Sequence, residues 1–209
     1  MKKLAIIGFS AQTREILPRL NEEYDIFIND NYALILEKQN IKPNNFMLLS
    51  TFDSKLYKAL VTIGDPIARK NIVSMLPNDT EYYTYIDKTV TIIDPSSVII
   101  EEGCCICANT ILTTNIKIGK HSHINLNNTI CHDTIICDFF TSAPSVNISG
   151  NVTIGTNVYI GTNSSIKQKI SICDNVVIGM NSGVNKNITK SGTYVGTPIR
   201  FLNESIKPF

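Results

Sequence analysis

In the stretch "NLNNTICHDTI", residues 125 to 135, a histidine and an aspartate, His132 and Asp133, stand side by side among aliphatic, amide and small residues. His132 is one of three histidines in 209 residues. An imidazole titrates near neutral pH, so it can remove a proton from an amine or hydroxyl as that group attacks a thioester or ester. A neighbouring carboxylate favours the protonated ring and strengthens it as a base. A second set of polar and small residues, Gly8, Ser10, Asp30, Gly64 and Asp65, closes short apolar runs in the first half of the chain. Both groups take their meaning from the elements that carry them.

The 209 residues contain nineteen Lys and Arg against eighteen Asp and Glu, with no block of like charge. That balance argues against a polyanion or nucleic-acid binder and for a small-molecule partner or another copy of the chain. The opening "MKKLAIIGFS" places two lysines before apolar residues, but Gln12, Arg14 and Glu15 follow at once, so it reads as a first strand and not as a signal peptide. No apolar run approaches the roughly 20 residues that span a bilayer. The expectation is a soluble, cytoplasmic protein without membrane insertion.

From Lys3 to about Ile86 short apolar runs alternate with helix-like segments: "KLAIIGF", then "SAQTREILPRL" with Ser10 as helix cap, then "YDIFIND", "FMLLST" and "LVTIGDPIARKNIVSML". This βαβ pattern predicts a small parallel, Rossmann-like α/β sheet. Ligands of such sheets bind beyond the carboxyl ends of the strands, where Gly8, Ser10, Asp30, Gly64 and Asp65 fall. A nucleotide pocket and ordinary strand-to-helix turns both fit these residues. The glycine-rich dinucleotide fingerprint is absent, since Phe9, Ser10 and Ala11 follow Gly8.

After Asp94 the period becomes six. From Ile100 to Val184 every sixth residue is a branched aliphatic, with Ser142 the one exception. A hexapeptide repeat of this length indicates a parallel β-helix. Residues 1–86 and 87–209 are therefore expected to form two domains. Two residues before the marked aliphatics, Ile116, Val146, Val152, Val158, Ile170 and Val176 also point inward, as alternation on a short strand requires. Three residues after them come Asn109, Asn115, Asn127, Asn151, Asn157, Asn163, Asn175, Asn181 and Asn187, a residue type that tolerates the left-handed backbone of a corner.

With three repeats per coil, residues eighteen apart stack about 4.8 Å apart. The column through His132 then reads Thr114, His132, Gly150, Gln168 and Lys186, on a turn and facing outward. Gly150 offers bare backbone above the ring. The break at Ser142 and the stretch "FFTSAPSV" are expected near the histidine. Cys107, Cys131, Cys137 and Cys173 occupy a column that also holds Gly119, Gly155, Gly161 and Gly179, so small packed thiols are expected in preference to a metal or disulfide role.

Over almost its whole length the chain resembles the left-handed β-helix sugar acyltransferases with an N-terminal nucleotide-sugar-binding domain, most closely those that acetylate UDP-linked 4-amino sugars. The resemblance is carried by "IIGFS", "TIGDPIARK", the His-Asp pair, "SGNVTIGTNVYIGTNSSI" and "GTYVGTPIR". It implies a left-handed β-helix, acetyl-CoA as co-substrate, no metal, a homotrimer with sites between neighbouring β-helices, and a nucleotide-linked 4-amino-6-deoxy sugar as acceptor. It also implies His132 as general base and Asp133 as its tuner. Asn125, with Gly8, Ser10, Ala11, Gln12, Asp30, Gly64 and Asp65, would meet the acceptor, and Thr141, Gly150, Thr162 and Met180 the acetyl-CoA. Three departures stand out. Asp133 replaces a glutamate common in the family, Thr141 replaces a second histidine, and "GFSAQT" lacks the extra glycine and histidine of close relatives.

Three other readings compete. Acetylation of a sugar hydroxyl, as on a sialic acid, uses the same kind of base. A β-helical zinc hydratase would need His121, His123 and His132 to converge, but His121 lies on a turn, His123 on an outward strand position, and the spacing is wrong for that class. A non-catalytic sugar-binding β-helix would leave His132 as plain surface.

Overall fold

The computed structural model describes residues 2–29 and 46–208. They form two compact units, Met1–Gly64 with Ala68–Tyr83, and Asp65–Ile67 with Thr84–Phe209.

The first unit is a parallel sheet of five strands, β1 (Lys3–Ile7), β2 (Tyr24–Ile28), β3 (Phe46–Leu48), β4 (Tyr57–Val61) and β5 (Glu81–Tyr82), in the order β3-β2-β1-β4-β5. The middle strand β1 is buried from Leu4 to Ile7, which is why that run is continuously apolar instead of alternating. Helix α1 (Ala11–Ile16) starts in a capping box: Ser10 Oγ accepts from Thr13 N, and Thr13 Oγ1 accepts from Ser10 N. Helix α2 (Pro66–Met75) carries Arg69, whose guanidinium is buried and donates to the carbonyls of Ile63 and Gly64, fixing the turn that leaves β4.

The second unit is a left-handed parallel β-helix, whose short stacked strands follow the six-residue period. Its three faces are sheets of stacked short strands. The first face includes Tyr85–Ile86, Cys105–Ile106, His123–Ile124, Thr141–Ser142, Tyr159–Ile160 and Val176–Ile178; the second includes Ile111–Leu112, Thr129–Ile130, Asn147–Ile148 and Ser165–Ile166; the third includes Val98–Ile100, Ile116–Ile118, Ile135–Ile136 and Thr153–Ile154. Strand Tyr85–Ile86 pairs in parallel with Cys105–Ile106, so the β-helix sheet already holds residues that the sequence reading placed before its boundary at 86. Strand partners are eighteen residues apart from Cys105↔His123 to Ser165↔Gly183, whereas Ile111↔Thr91 and Tyr85↔Cys105 are offset by twenty, because the corner at 93–97 is longer, and Val176↔Gly192 in the last coil by sixteen.

The marked aliphatics from Ile106 to Val184 are all buried in one continuous core. Ser142 is also buried, and Phe140, two residues earlier, belongs to the same core. Ser142 stacks between Ile124 and Ile160 on the first face, not beside His132, so the expectation that this irregularity surrounds the histidine is corrected.

The corners are left-handed at Asn109, Asn115, Asn127, Asn151, Asn157, Asn163, Asn175 and Asn181, with φ between 52° and 60°. Asn187 is not among the positive-φ residues, because the last coil departs from the repeat there. His121, Asp133, Phe139, Ser145 and Lys169 adopt the same backbone although they are neither asparagine nor glycine. Backbone hydrogen bonds across coils impose it, as in Asp133 N to Thr114 O at 3.2 Å and Asn151 N to His132 O at 2.8 Å.

All six cysteines are free, and Cys104, Cys105 and Cys107 are buried. Burial pushes the thiols of Cys137 and Cys173 up from their ordinary range, which suits packing and not nucleophilic attack.

Ile154→Ala, in the filled core, should cost about 2–5 kcal/mol in chemical denaturation. Thr153→Ala, on the exposed side of the same strand, should stay within about 0.5 kcal/mol.

Candidate active site

His132 and Asp133 lie on the corner between the second and third faces, with side chains 54% and 45% exposed. The left-handed backbone of Asp133, at φ 58°, folds its carboxylate back towards the preceding ring, and His132 Nδ1 stands 2.7 Å from Asp133 Oδ2. A carboxylate only accepts, so Nδ1 carries the proton and Nε2 keeps its lone pair for an incoming proton. The Asp133 carboxyl is held below the ordinary carboxylate range, first by a hydrogen bond from Asn115 Nδ2 at 2.6 Å and then by His132.

The backbone of Gly150, eighteen residues on, lies over the ring. A Cβ added to Gly150 would stand 2.4 Å from His132 Cε1 and 2.5 Å from Nε2, so only glycine leaves room for this ring position. The Gly150 carbonyl accepts from Lys169 N at 3.1 Å. Beyond Gly150 an open groove of about 550 Å³ runs along the second face, lined by Ser149, Ser165, Lys167, Gly183, Asn185 and Pro198 among others. The residues taken singly do not mark this groove, because each is an unremarkable outward position until the register stacks them above Thr129 and Cys131, on the face that runs into the His132 corner.

The remaining candidates of the β-helix sit elsewhere. Asn125 lies on the corner between the first and second faces, where Asn128 holds the turn by donating to the carbonyls of Asn125, Leu126 and Ala143. Asn125 Oδ1 accepts from Leu126 N at 2.8 Å. Exposed Thr162 and Met180 stack on that same corner, joined by Asn181 N to Thr162 O. Thr141, on the first face between His123 and Tyr159, is only 4% exposed. Within one chain, then, His132, Asp133 and Gly150 share one corner, and Asn125, Thr162 and Met180 share another.

His123 takes the strand position expected of it but is fully buried, and His121 is 4% exposed with its ring stacked on Phe139 at 5.1 Å. Exposed His132 shares neither setting. Among the described residues no group of three or more His, Cys, Asp or Glu is arranged to hold a metal.

In the first unit a cavity of about 290 Å³ opens at the carboxyl ends of β1, β2 and β4, lined by Ile7, Gly8, Phe9, Ser10, Ile28, Asn29, Ile63 and Ile72. Gly8 turns out of β1 at φ 105°, a conformation that glycine adopts without strain. Phe9 is set edge-on to Phe46, with ring centroids 4.8 Å apart. Ser10 also donates to Thr62 O at 2.7 Å, so its hydroxyl serves the cap and the sheet. Asp65 Oδ1 accepts from Ile67 N in the first turn of α2. Ala11 is exposed and Gln12 is 8% exposed, while Gly64 has open space around it. Asp30 lies outside the described residues.

The family model for the hexapeptide repeat of succinyl-transferase matches residues 151–186. Over 184 residues the chain is 30% identical to GDP-perosamine N-acetyltransferase of Escherichia coli O157:H7, covering 81% of this chain and 80% of that protein. The chain belongs to this N-acetyltransferase family. Two solved structures share the fold. The acetyltransferase domain of PglB from Neisseria gonorrhoeae FA1090, in complex with acetyl coenzyme A, superposes with a TM-score of 0.81 at 21% identity, over 96% of this chain and 99% of that one. GDP-perosamine N-acetyltransferase from Caulobacter crescentus, a histidine-to-alanine variant in complex with CoA and GDP-perosamine, gives 0.79 at 17% identity, over 97% and 98%. As a member of this family the chain places a histidine–carboxylate pair on an outward corner, beneath bare glycine backbone.

Gly150→Ala should displace the His132 ring. A misplacement of about 1 Å costs roughly 10²-fold, which steady-state kinetics would read as a fall in kcat/KM while the melting temperature stays near that of the parent protein.

Proposed function

We propose that this protein transfers the acetyl group of acetyl-CoA to the amino group of a nucleotide-linked 4-amino-6-deoxy sugar, with His132 as general base. The observation that carries the reading is the 2.7 Å contact of His132 Nδ1 with Asp133 Oδ2, which leaves Nε2 as the acceptor on an exposed corner. The amine nitrogen attacks the thioester carbonyl and its proton passes to Nε2. The carbon–sulfur bond then breaks, and the departing thiolate takes that proton from the imidazolium. Gly150, whose carbonyl is already engaged, offers its N–H to the oxyanion. The groove beyond Gly150 gives the extended thioester arm a track along the second face.

The acceptor's nucleotide belongs, in this reading, in the apolar cavity of the first unit, where Gly8 and Ser10 close β1. The family resemblance points to UDP as carrier, and the E. coli relative, named for a GDP sugar, favours GDP as the second candidate. Assays with acetyl-CoA and matched UDP- and GDP-linked 4-amino sugars decide between them; turnover of neither, with turnover of a sugar hydroxyl, would replace N- by O-acetylation.

The division of candidates between two corners supports a homotrimer in which the corner bearing Asn125, Thr162 and Met180 of one copy faces His132 of the next. Light scattering should then give the trimer mass, and an active monomer would reject the arrangement. His132→Ala should lower turnover about 10²–10⁴-fold with acetyl-CoA affinity little changed, measured by steady-state kinetics and calorimetry. Asp133→Asn removes the negative charge that favours the protonated ring. Its loss should be smaller, and the acidic limb of its pH–rate profile should move to lower pH.

A further inference from the structure

The proton-transfer pair has a third member on the coil below. Asn115 precedes Asp133 by eighteen residues in the same corner column, and its Nδ2 donates to Asp133 Oδ1 at 2.6 Å while Oδ2 faces His132 Nδ1 at 2.7 Å. We propose that Asn115 is a positioning residue: by holding one carboxylate oxygen of Asp133 it aims the other at His132, so that three residues across two coils set the direction of the ring and keep its Nδ1 engaged. The inference rests on the reading of His132 as the base.

Corner side chains also pair in this column arrangement elsewhere. Asn157 donates to Asn175 Oδ1 at 3.0 Å, Asn163 to Asn181 Oδ1 at 2.8 Å and Asn127 to Ser145 Oγ at 3.2 Å. Those acceptors are neutral and go no further. The Asn115 rung ends on a carboxylate that is itself bound to a histidine, and a hydrogen bond to a charged acceptor is the stronger kind. Both ends are fixed at the backbone: Asn115 and Asp133 have φ of 52° and 58°, and Asn115 N donates to Ser97 Oγ at 2.8 Å. With both residues in the same left-handed conformation, one coil apart, their side chains leave the corner in parallel. An exposed aspartate with a single partner would turn freely about χ1 and χ2; the second hydrogen bond removes that freedom before the proton is transferred.

The charges around these three residues are few. His132 is the one ionisable group among the causes acting on Asp133. Asp94 lies on the longer corner below Asn115, where its carboxylate accepts from Ser96, and Lys169 and Lys186 continue the Asp133 and His132 columns two and three coils above.

Asn115→Gly keeps the left-handed backbone available and deletes the amide. It should lower kcat/KM about 3–10-fold, the range for losing one hydrogen bond. It should also move the acidic limb of the pH–rate profile to lower pH, and make the Asp133 carboxyl titrate at higher pH by NMR. Asn115→Asp sets a second negative charge beside the pair and should move the limb the other way, to higher pH. In an Asp133→Gly background Asn115→Gly should have no further effect, because nothing remains to be positioned.

If Asn115→Gly leaves both the limb and the Asp133 titration where they were, or costs as much in the Asp133→Gly background as alone, Asn115 is a structural rung and the inference fails. His132→Ala serves as the control. Undiminished turnover in that variant would overturn the base itself, whereas a large loss there beside an inert Asn115→Gly would overturn only the positioning role. The NMR titration reads the Asn115–Asp133 link independently of catalysis.

Discussion

The structure of the second unit depends on one constraint: N–H to C=O bonds must join each coil to the next in parallel, one coil repeating every eighteen residues over most of the helix. Once that ladder is in place, every position is stacked on its counterpart in the neighbouring coil. Isoleucine meets isoleucine inside, corner meets corner outside, and a side chain on one coil has its neighbour's environment decided a coil away. The constraint also reaches the backbone. It holds Asp133 left-handed although aspartate pays for that conformation, and thereby brings its carboxylate within 2.7 Å of the preceding imidazole. Adjacent residues on an ordinary strand point to opposite faces; here the corner makes them partners.

The same register decides what surrounds the pair. Glycine at 150 leaves the ring its place along the corner, because a Cβ there would meet the end of the His132 side chain. The next coil down supplies Asn115, and the coils above supply the lining of the groove. A triangular coil also separates what it does not stack: Asn125, Thr162 and Met180 sit on a different corner from His132. In the proposed trimer a neighbouring copy would bring that second corner to His132 and wall it from water.

Much of this was legible in the residues. The six-residue period implies the β-helix, the βαβ alternation implies the parallel sheet, and the column through Thr114, His132 and Gly150 follows from the period alone. Asn115 was also in view, but among many corner asparagines it read as backbone geometry, since a period cannot say which rung ends on a charge. The stretch around Ser142 misled for a related reason. It is close to His132 along the chain, yet the register carries it to the first face.

By itself, the sequence determined the fold of each unit, the inward and outward columns, and the adjacency of His132 to Asp133, because these follow from short periods and local chemistry. Tertiary structure alone decided that Nδ1 meets Oδ2, that Asn115 holds the opposite oxygen, and that His123 is buried while His132 is open. Those facts turn on dihedral angles and on packing between segments far apart in the chain. Residue type permits them, and only the stacked coils select them.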